Sequence, residues 1–160
     1  MKSTRGFTLI ELIIVVVLIG ILSGVVSPLL YQLLKSYRVG KQINNMAVQT
    51  NIAANNVLRE LKNASSVSTI GNTTITFLNY QGQTIVIDLN GTNFQRNVDS
   101  GGTQTLCNNI SSLSFGFYDQ SFATTAVAAN VRYVIMSLTA TDSNTSYSMI
   151  AGTTLRKLIP

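Results

Sequence analysis

The sequence contains no histidine, a single cysteine and only six acidic residues. The first absence removes the side chain most often used as a general base and as a metal ligand. Cys107 has no histidine to activate it, so a thiol nucleophile is not expected. Being alone, it cannot close an intrachain disulfide, and it reads as a small buried hydrophobe. The acidic residues Glu60, Asp88, Asp99, Asp119 and Asp142 are far apart, and no pair has the local spacing of an acid/base dyad. Asp99, Asp119 and Asp142 fall in turn-like stretches, where a carboxylate usually bonds nearby backbone. Calcium held by two such loops would need a clustered D-x-D-type ligand set, which is missing. Gly101-Gly102 belongs to no phosphate-binding pattern. These absences predict a chain that is not an enzyme, with no cofactor and no metal.

Charge excludes a second class. The formal balance is +5, but the basic residues do not cluster. Lys2 and Arg5 open the chain, and Lys35, Arg38 and Lys41 follow a long apolar run. Arg59, Lys62, Arg96, Arg132, Arg156 and Lys157 are scattered. No basic run is interleaved with aromatics, so no nucleic acid is expected as a partner of the bare sequence.

What the sequence has in abundance is one apolar run. No charged residue occurs from Leu12 to Leu34, a stretch long enough to cross a bilayer core of about 20 residues. A cleavable signal peptide fits poorly: the run is too long, and the nearest small-residue site, in "VVSP", puts Pro28 just past the cut. Lys2 and Arg5 favour a cytoplasmic N-terminus, against the opposing pull of Lys35, Arg38 and Lys41. The rest of the chain is then expected outside the cytoplasm. Within the run Glu11 stands alone, although a carboxylate at the centre of a spanning helix costs about 2.5–3.5 kcal/mol. Gly20, Gly24 and Pro28 are helix breakers, and a kink or local melting is expected between Gly20 and Pro28.

Beyond the run the helical period continues. Ile43, Ala47, Thr50, Ala54, Val57, Leu61 and Ala64 recur at steps of four and three, with Met46, Ala53 and Leu58 on the shoulders. A helix from Phe7 to Ala64 would be about 87 Å long. From Val67 the period becomes that of strands. Thr74–Tyr80 and Thr84–Leu89 read as a hairpin across Gln81-Gly82. Asn90-Gly91 leads into Thr92–Val98, "DSGGTQT" reads as a loop, and Ile110–Asp119 as a strand. Gln120–Asn130 reads as a loop, and Val131–Thr141 and Ser146–Leu158 as a second hairpin. The predicted fold is α+β, one long helix packed on an antiparallel sheet of five or six strands.

The opening "MKSTRG" followed by "FTLIELIIVVVLIGIL" resembles type IV pilins and the pseudopilins of type II secretion. The resemblance implies that a prepilin peptidase cuts after Gly6 and N-methylates Phe7. It also implies that Glu11 meets the Phe7 amine of a neighbouring subunit during assembly, and that Pro28 is the family's helix-breaking proline. Residues 1–6 would be a leader, 7–34 the transmembrane and assembly helix, and 35–160 a globular head whose helix reaches about residue 65. Expected partners are other pilin or pseudopilin subunits, the peptidase and an inner-membrane assembly platform. The order of head segments, including "LRELKNASSV", "NFQRNV" and "LSFGFYD", looks like larger minor pilins and J-class pseudopilins. A minor pilin, a tip pseudopilin and a major fibre subunit remain open. So does a DNA-handling subunit of a competence pilus, which would need Arg132, Arg156 and Lys157 to form a stripe.

Overall fold

The structure is a computed structural model that describes residues 6–99 and 101–156. The leader residues before Gly6, and Lys157 and Leu158 at the far end, lie outside the described residues. By its contacts the chain separates into two compact units, Met1–Lys41 and Gln42–Pro160.

One helix, α1 (Leu9–Lys62), runs from the first unit into the second. The breakers do not interrupt it: residues 20–28 are α-helical throughout, and the expected melting is absent. Pro28 removes one backbone donor, the partner of the Gly24 carbonyl, and leucines follow it directly. One turn earlier, Ser27 Oγ donates to the Ser23 carbonyl at 2.7 Å.

In the second unit, α1 buries Met46, Thr50, Ala53, Ala54, Val57, Leu58 and Leu61. The predicted stripe is therefore right from Thr50 onward. It starts too early at Ile43, which is exposed.

The strands number eight among the described residues and form two antiparallel sheets, where the sequence reading expected one. The first sheet runs in chain order through β1 (Ser66–Ile70), β2 (Ile75–Leu78), β3 (Thr84–Asn90), β4 (Asn93–Val98) and β5 (Gly102–Cys107). The second contains β6 (Ile110–Tyr118), β7 (Tyr133–Asp142) and β8 (Thr145–Thr154). The segment read as a loop, "DSGGTQT", contributes most of β5. The break between the sheets falls at Asn109, whose φ of 60° is a left-handed value that asparagine tolerates better than most residues. Phe115 N–H then donates to the Asn72 carbonyl at 2.8 Å and ties the second sheet to the first.

Strict alternation explains the packing. Ile75, Phe77, Ile85, Ile87 and Phe94 from the first sheet face Leu113, Phe115, Phe117, Val134, Met136 and Leu138 from the second within one core cluster that includes the helix stripe. Burying each such large side chain is worth about 1.5–3 kcal/mol. Three polar links reinforce it. Arg96 Nε meets Glu60 Oε2 at 2.9 Å, Asn51 Nδ2 donates to Tyr147 Oη at 3.0 Å, and Gln42 Nε2 donates to the Asp142 carbonyl at 3.2 Å. Tight turns carry the hairpins, with Gly82 and Gly91 at φ 79° and 62° where the sequence placed them.

Candidate functional site

Every residue from Gly6 to Arg38 is exposed, so the apolar run finds no partner within the chain. The helix is long and apolar enough to cross a membrane. From Leu12 to Leu34 its exposed surface is mostly apolar, interrupted by Ser23, Ser27 and Gln32, with Phe7 86% exposed at the open end.

Glu11 is held locally. Thr8 precedes the first helical residue, and its N–H and Oγ1 both donate to Glu11 Oε2, at 2.9 and 3.0 Å. In return Glu11 N–H donates to Thr8 Oγ1 at 3.3 Å. This is a reciprocal capping box, which satisfies two of the orphan donors at the start of a helix. The pattern Thr8-Leu9-Ile10-Glu11 carried the signal, and the sequence reading passed over it in favour of an intersubunit role alone. The two roles are compatible: the cap engages one carboxylate oxygen and leaves the other without a bond from any described residue. The cap also lowers the cost of holding the charge among apolar side chains.

The other predicted positions in this unit are unconstrained by the chain's own packing. A Cβ added at Gly6, Gly20 or Gly24 would meet nothing within 4 Å. No described residue therefore demands glycine at these places.

The head residues considered for chemistry are occupied structurally. Asp119 Oδ1 accepts from the N–H groups of Ser121 and Ala123, at 2.8 and 3.1 Å, as a turn carboxylate should. Arg132 Nη1 donates to the carbonyls of Ala129 and Val131, at 2.8 and 3.0 Å, and so fixes the short 3-10 helix Ala128–Asn130. Arg156 is exposed, and Lys157 lies outside the described residues. Leu155 N–H donates to the Arg132 carbonyl at 2.9 Å, so the chain leading into Arg156 runs beside Arg132, although Arg132 turns its Nη1 onto its own neighbours. Cys107 is buried, as expected. Burial pushes its thiol above the usual range, against smaller opposing pulls from hydrogen bonding to the Thr50 side chain and the Asn108 backbone. It is the opposite of an activated nucleophile.

Two family matches cover most of the chain. Residues 1–27 match the prokaryotic N-terminal methylation motif, and residues 32–128 match the family described as putative competence protein ComGF. A search among curated proteins returned no match. The first match covers the segment that carries Gly6, Phe7, Glu11 and the breakers up to Gly24. The second spans the head from before the amphipathic stripe through β6 and up to the 3-10 helix. Neither is described as a secretion pseudopilin, so the J-class likeness gains no support. A methylation-type N-terminus on an exposed apolar helix, continuous with a competence-type α+β head, makes this chain a type IV pilin-like minor subunit that belongs to the putative competence protein ComGF family.

Proposed function

We propose that this chain is a minor subunit of a competence-type pilus, which it joins or primes through its N-terminal helix. It acts by docking rather than by catalysis. A prepilin peptidase cuts after Gly6 and N-methylates Phe7, and an assembly platform in the inner (cytoplasmic) membrane takes up the mature subunit. Before assembly the helix spans that membrane once, with the head outside the cytoplasm. Within the fibre, Glu11 pairs with the Phe7 amine of a neighbour. Each charge is costly alone in an apolar environment, and a misregistered subunit would leave both unpaired. Gly20, Gly24 and Pro28 are the places where the helix gives way as the subunit leaves the bilayer. DNA is then a possible partner of the pilus as a whole, although within this chain Arg132 Nη1 is already bonded to the Ala129 and Val131 carbonyls.

The observation that carries this reading is the pairing of opposites at one helix end. A capped, exposed carboxylate at Glu11 sits between an exposed Phe7 and a fully exposed apolar run. The test is intact mass with N-terminal fragmentation of the chain purified from its native membranes. A mature form beginning at N-methylated Phe7 is expected. An uncut Met1, or a cut near Pro28, would overturn the reading.

A further inference from the structure

Four strands lie at the margins of the two sheets: β1 and β5 in the first, β6 and β8 in the second. An edge strand presents unpaired N–H and C=O groups to any extended chain that approaches, and folded proteins normally blunt it. Three of these edges are blunted. β1 is five residues long, loses register between Val67 and Thr69, and packs against the 3-10 helix. β5 is six residues long, opens on Gly102 at φ 76°, and its register with β4 slips between Phe94 and Gln95. The outer edge of β6 is capped by other segments. Phe115 N–H bonds the Asn72 carbonyl, Thr125 N–H bonds the Phe117 carbonyl at 3.0 Å, and Tyr118 bridges to Thr124.

β8 has none of these devices. It is ten residues long and in unbroken register with β7 from Thr145 to Thr154. Its sequence, TSYSMIAGTT, holds no charge and no proline. Among the described residues, no backbone hydrogen bond from another segment reaches it besides those of β7.

A cavity of about 670 Å³ opens beside the last residues of this edge, Gly152, Thr153 and Thr154. Its floor follows from the register. Ile135 pairs with Gly116 on one side and Gly152 on the other, so this row across the sheet carries one side chain. The next row is Tyr118, Tyr133 and Thr154, with Phe122 stacked on Tyr133 at a ring separation of 4.1 Å. Phe122 sits at φ 60°, a conformation that a bulky side chain adopts only when its surroundings impose it. The Asp119 turn does so and leaves the ring 67% exposed. Ile150, 75% exposed, projects from β8 on the same face. Among the described residues, the only charged side chain lining the cavity is Lys62.

We propose that β8 is the docking edge for an extended segment of a different, acidic subunit, which adds to the second sheet as a fourth strand. Backbone bonds to β8 supply the affinity, and alternate side chains supply the selectivity. One apolar side chain of the incoming segment lies over Gly152 against Phe122 and Tyr133, and a carboxylate lies beside Lys62. A second copy of this chain is the wrong occupant, because it brings another Lys62 and another excess of basic over acidic side chains, which persists after Lys2 and Arg5 leave with the leader. The proposal rests on the reading of the chain as a pilin-like assembly subunit.

The test uses the full chain, co-expressed with its companion pilin-like subunits and purified in detergent. Backbone amides of residues 145–154 are expected to exchange hydrogen at least about tenfold more slowly in the assembly than in the chain alone, and those of 102–107 at unchanged rates. Ile150→Glu, at an exposed position, is expected to lower co-purification of the companions about tenfold, whereas Gln104→Glu on β5 leaves it intact. Lys62→Glu weakens recovery, and Lys62→Arg restores it. Companions that co-purify while β8 exchanges freely would overturn the docking edge and leave the assembly reading standing. A cross-link from β8 to a second copy would overturn the assigned occupant. Failure of the unaltered chain to recover any companion would remove both.

Discussion

The two ends of α1 differ in composition and have opposite surroundings: the first is apolar on every side, and the second carries one apolar stripe. From Leu9 to Leu34 every side chain is exposed, whereas from Met46 to Leu61 seven are buried by the strands. The second stretch is part of a core that the chain builds for itself. The first is a core with its other half missing, and only lipid or the helices of other subunits can supply it. At about 25 cal/mol per Å² of apolar surface removed from water, so long an exposed run could not persist in solvent. Stability of the head and competence for assembly are thus located in different parts of one helix, and separate substitutions should reach each alone.

The sharpest way to break that separation is a pair of truncations. Phe94→Ala removes a fully buried ring at the contact of β4 with the core. It should destabilise the head by about 3–5 kcal/mol, a large fraction of the total for a domain of this size. Leu18→Ala, on the exposed run, should leave the thermal midpoint of the head in detergent unchanged. A comparable fall for both would show that the run contributes to the head's own core.

A smaller effect separates the two roles of Glu11. A glutamine keeps the capping box but loses the charge, alanine loses both, and Thr8→Ala loses the cap while leaving the carboxylate. If pairing with a neighbour's amine is the decisive function, Glu11→Gln and Glu11→Ala should both reduce incorporation at least about tenfold, with peptidase processing intact. Thr8→Ala should then cost only the cap, about 1 kcal/mol of local helix stability. Incorporation of Glu11→Gln at the unaltered level would reduce the carboxylate to a helix cap.

The same contrast explains what could be read in advance. A long apolar run, an isolated carboxylate beside it and a stripe at helical spacing are local signals, and the first two stand where the sequence placed them, as does the stripe from Thr50 onward. β1 fell within the strand period read from Val67 but was given no bounds, and β5 was read as a loop because Asp99 and the Gly101-Gly102 pair at its start are turn residues. The division into two sheets depends on the backbone at Asn109 and on the bond from Phe115 to Asn72, a meeting of residues far apart in sequence. Strand alternation revealed β8 as a strand. Nothing along the chain revealed that no other described segment bonds to its outer side, because that depends on where each of them goes.

The finest test lies where α1 meets β5. Thr50 is fully buried, and its Oγ1 makes no hydrogen bond of good geometry among the described residues. Replacing that hydroxyl by a methyl group in Thr50→Val should stabilise the head by up to about 1 kcal/mol, read as a higher denaturant midpoint at unchanged slope. Cys107 nearby links the same contact to pH. Burial raises its thiol above the ordinary value near 9.0, so at alkaline pH the folded chain keeps a proton that the unfolded chain releases. Unfolding free energy falls wherever the folded state binds more protons. The contribution is therefore fully present below the ordinary thiol value and lost as pH rises from there through the raised one. Between about pH 8 and 10 the unaltered chain should lose stability more steeply than Cys107→Ala, whose slope reports every other titrating group. The Thr50 hydroxyl pulls the thiol downward, so Thr50→Val should push it further up and make the loss steeper still. Equal slopes in the three proteins would mean that the thiol titrates as freely in the folded head as in the unfolded chain.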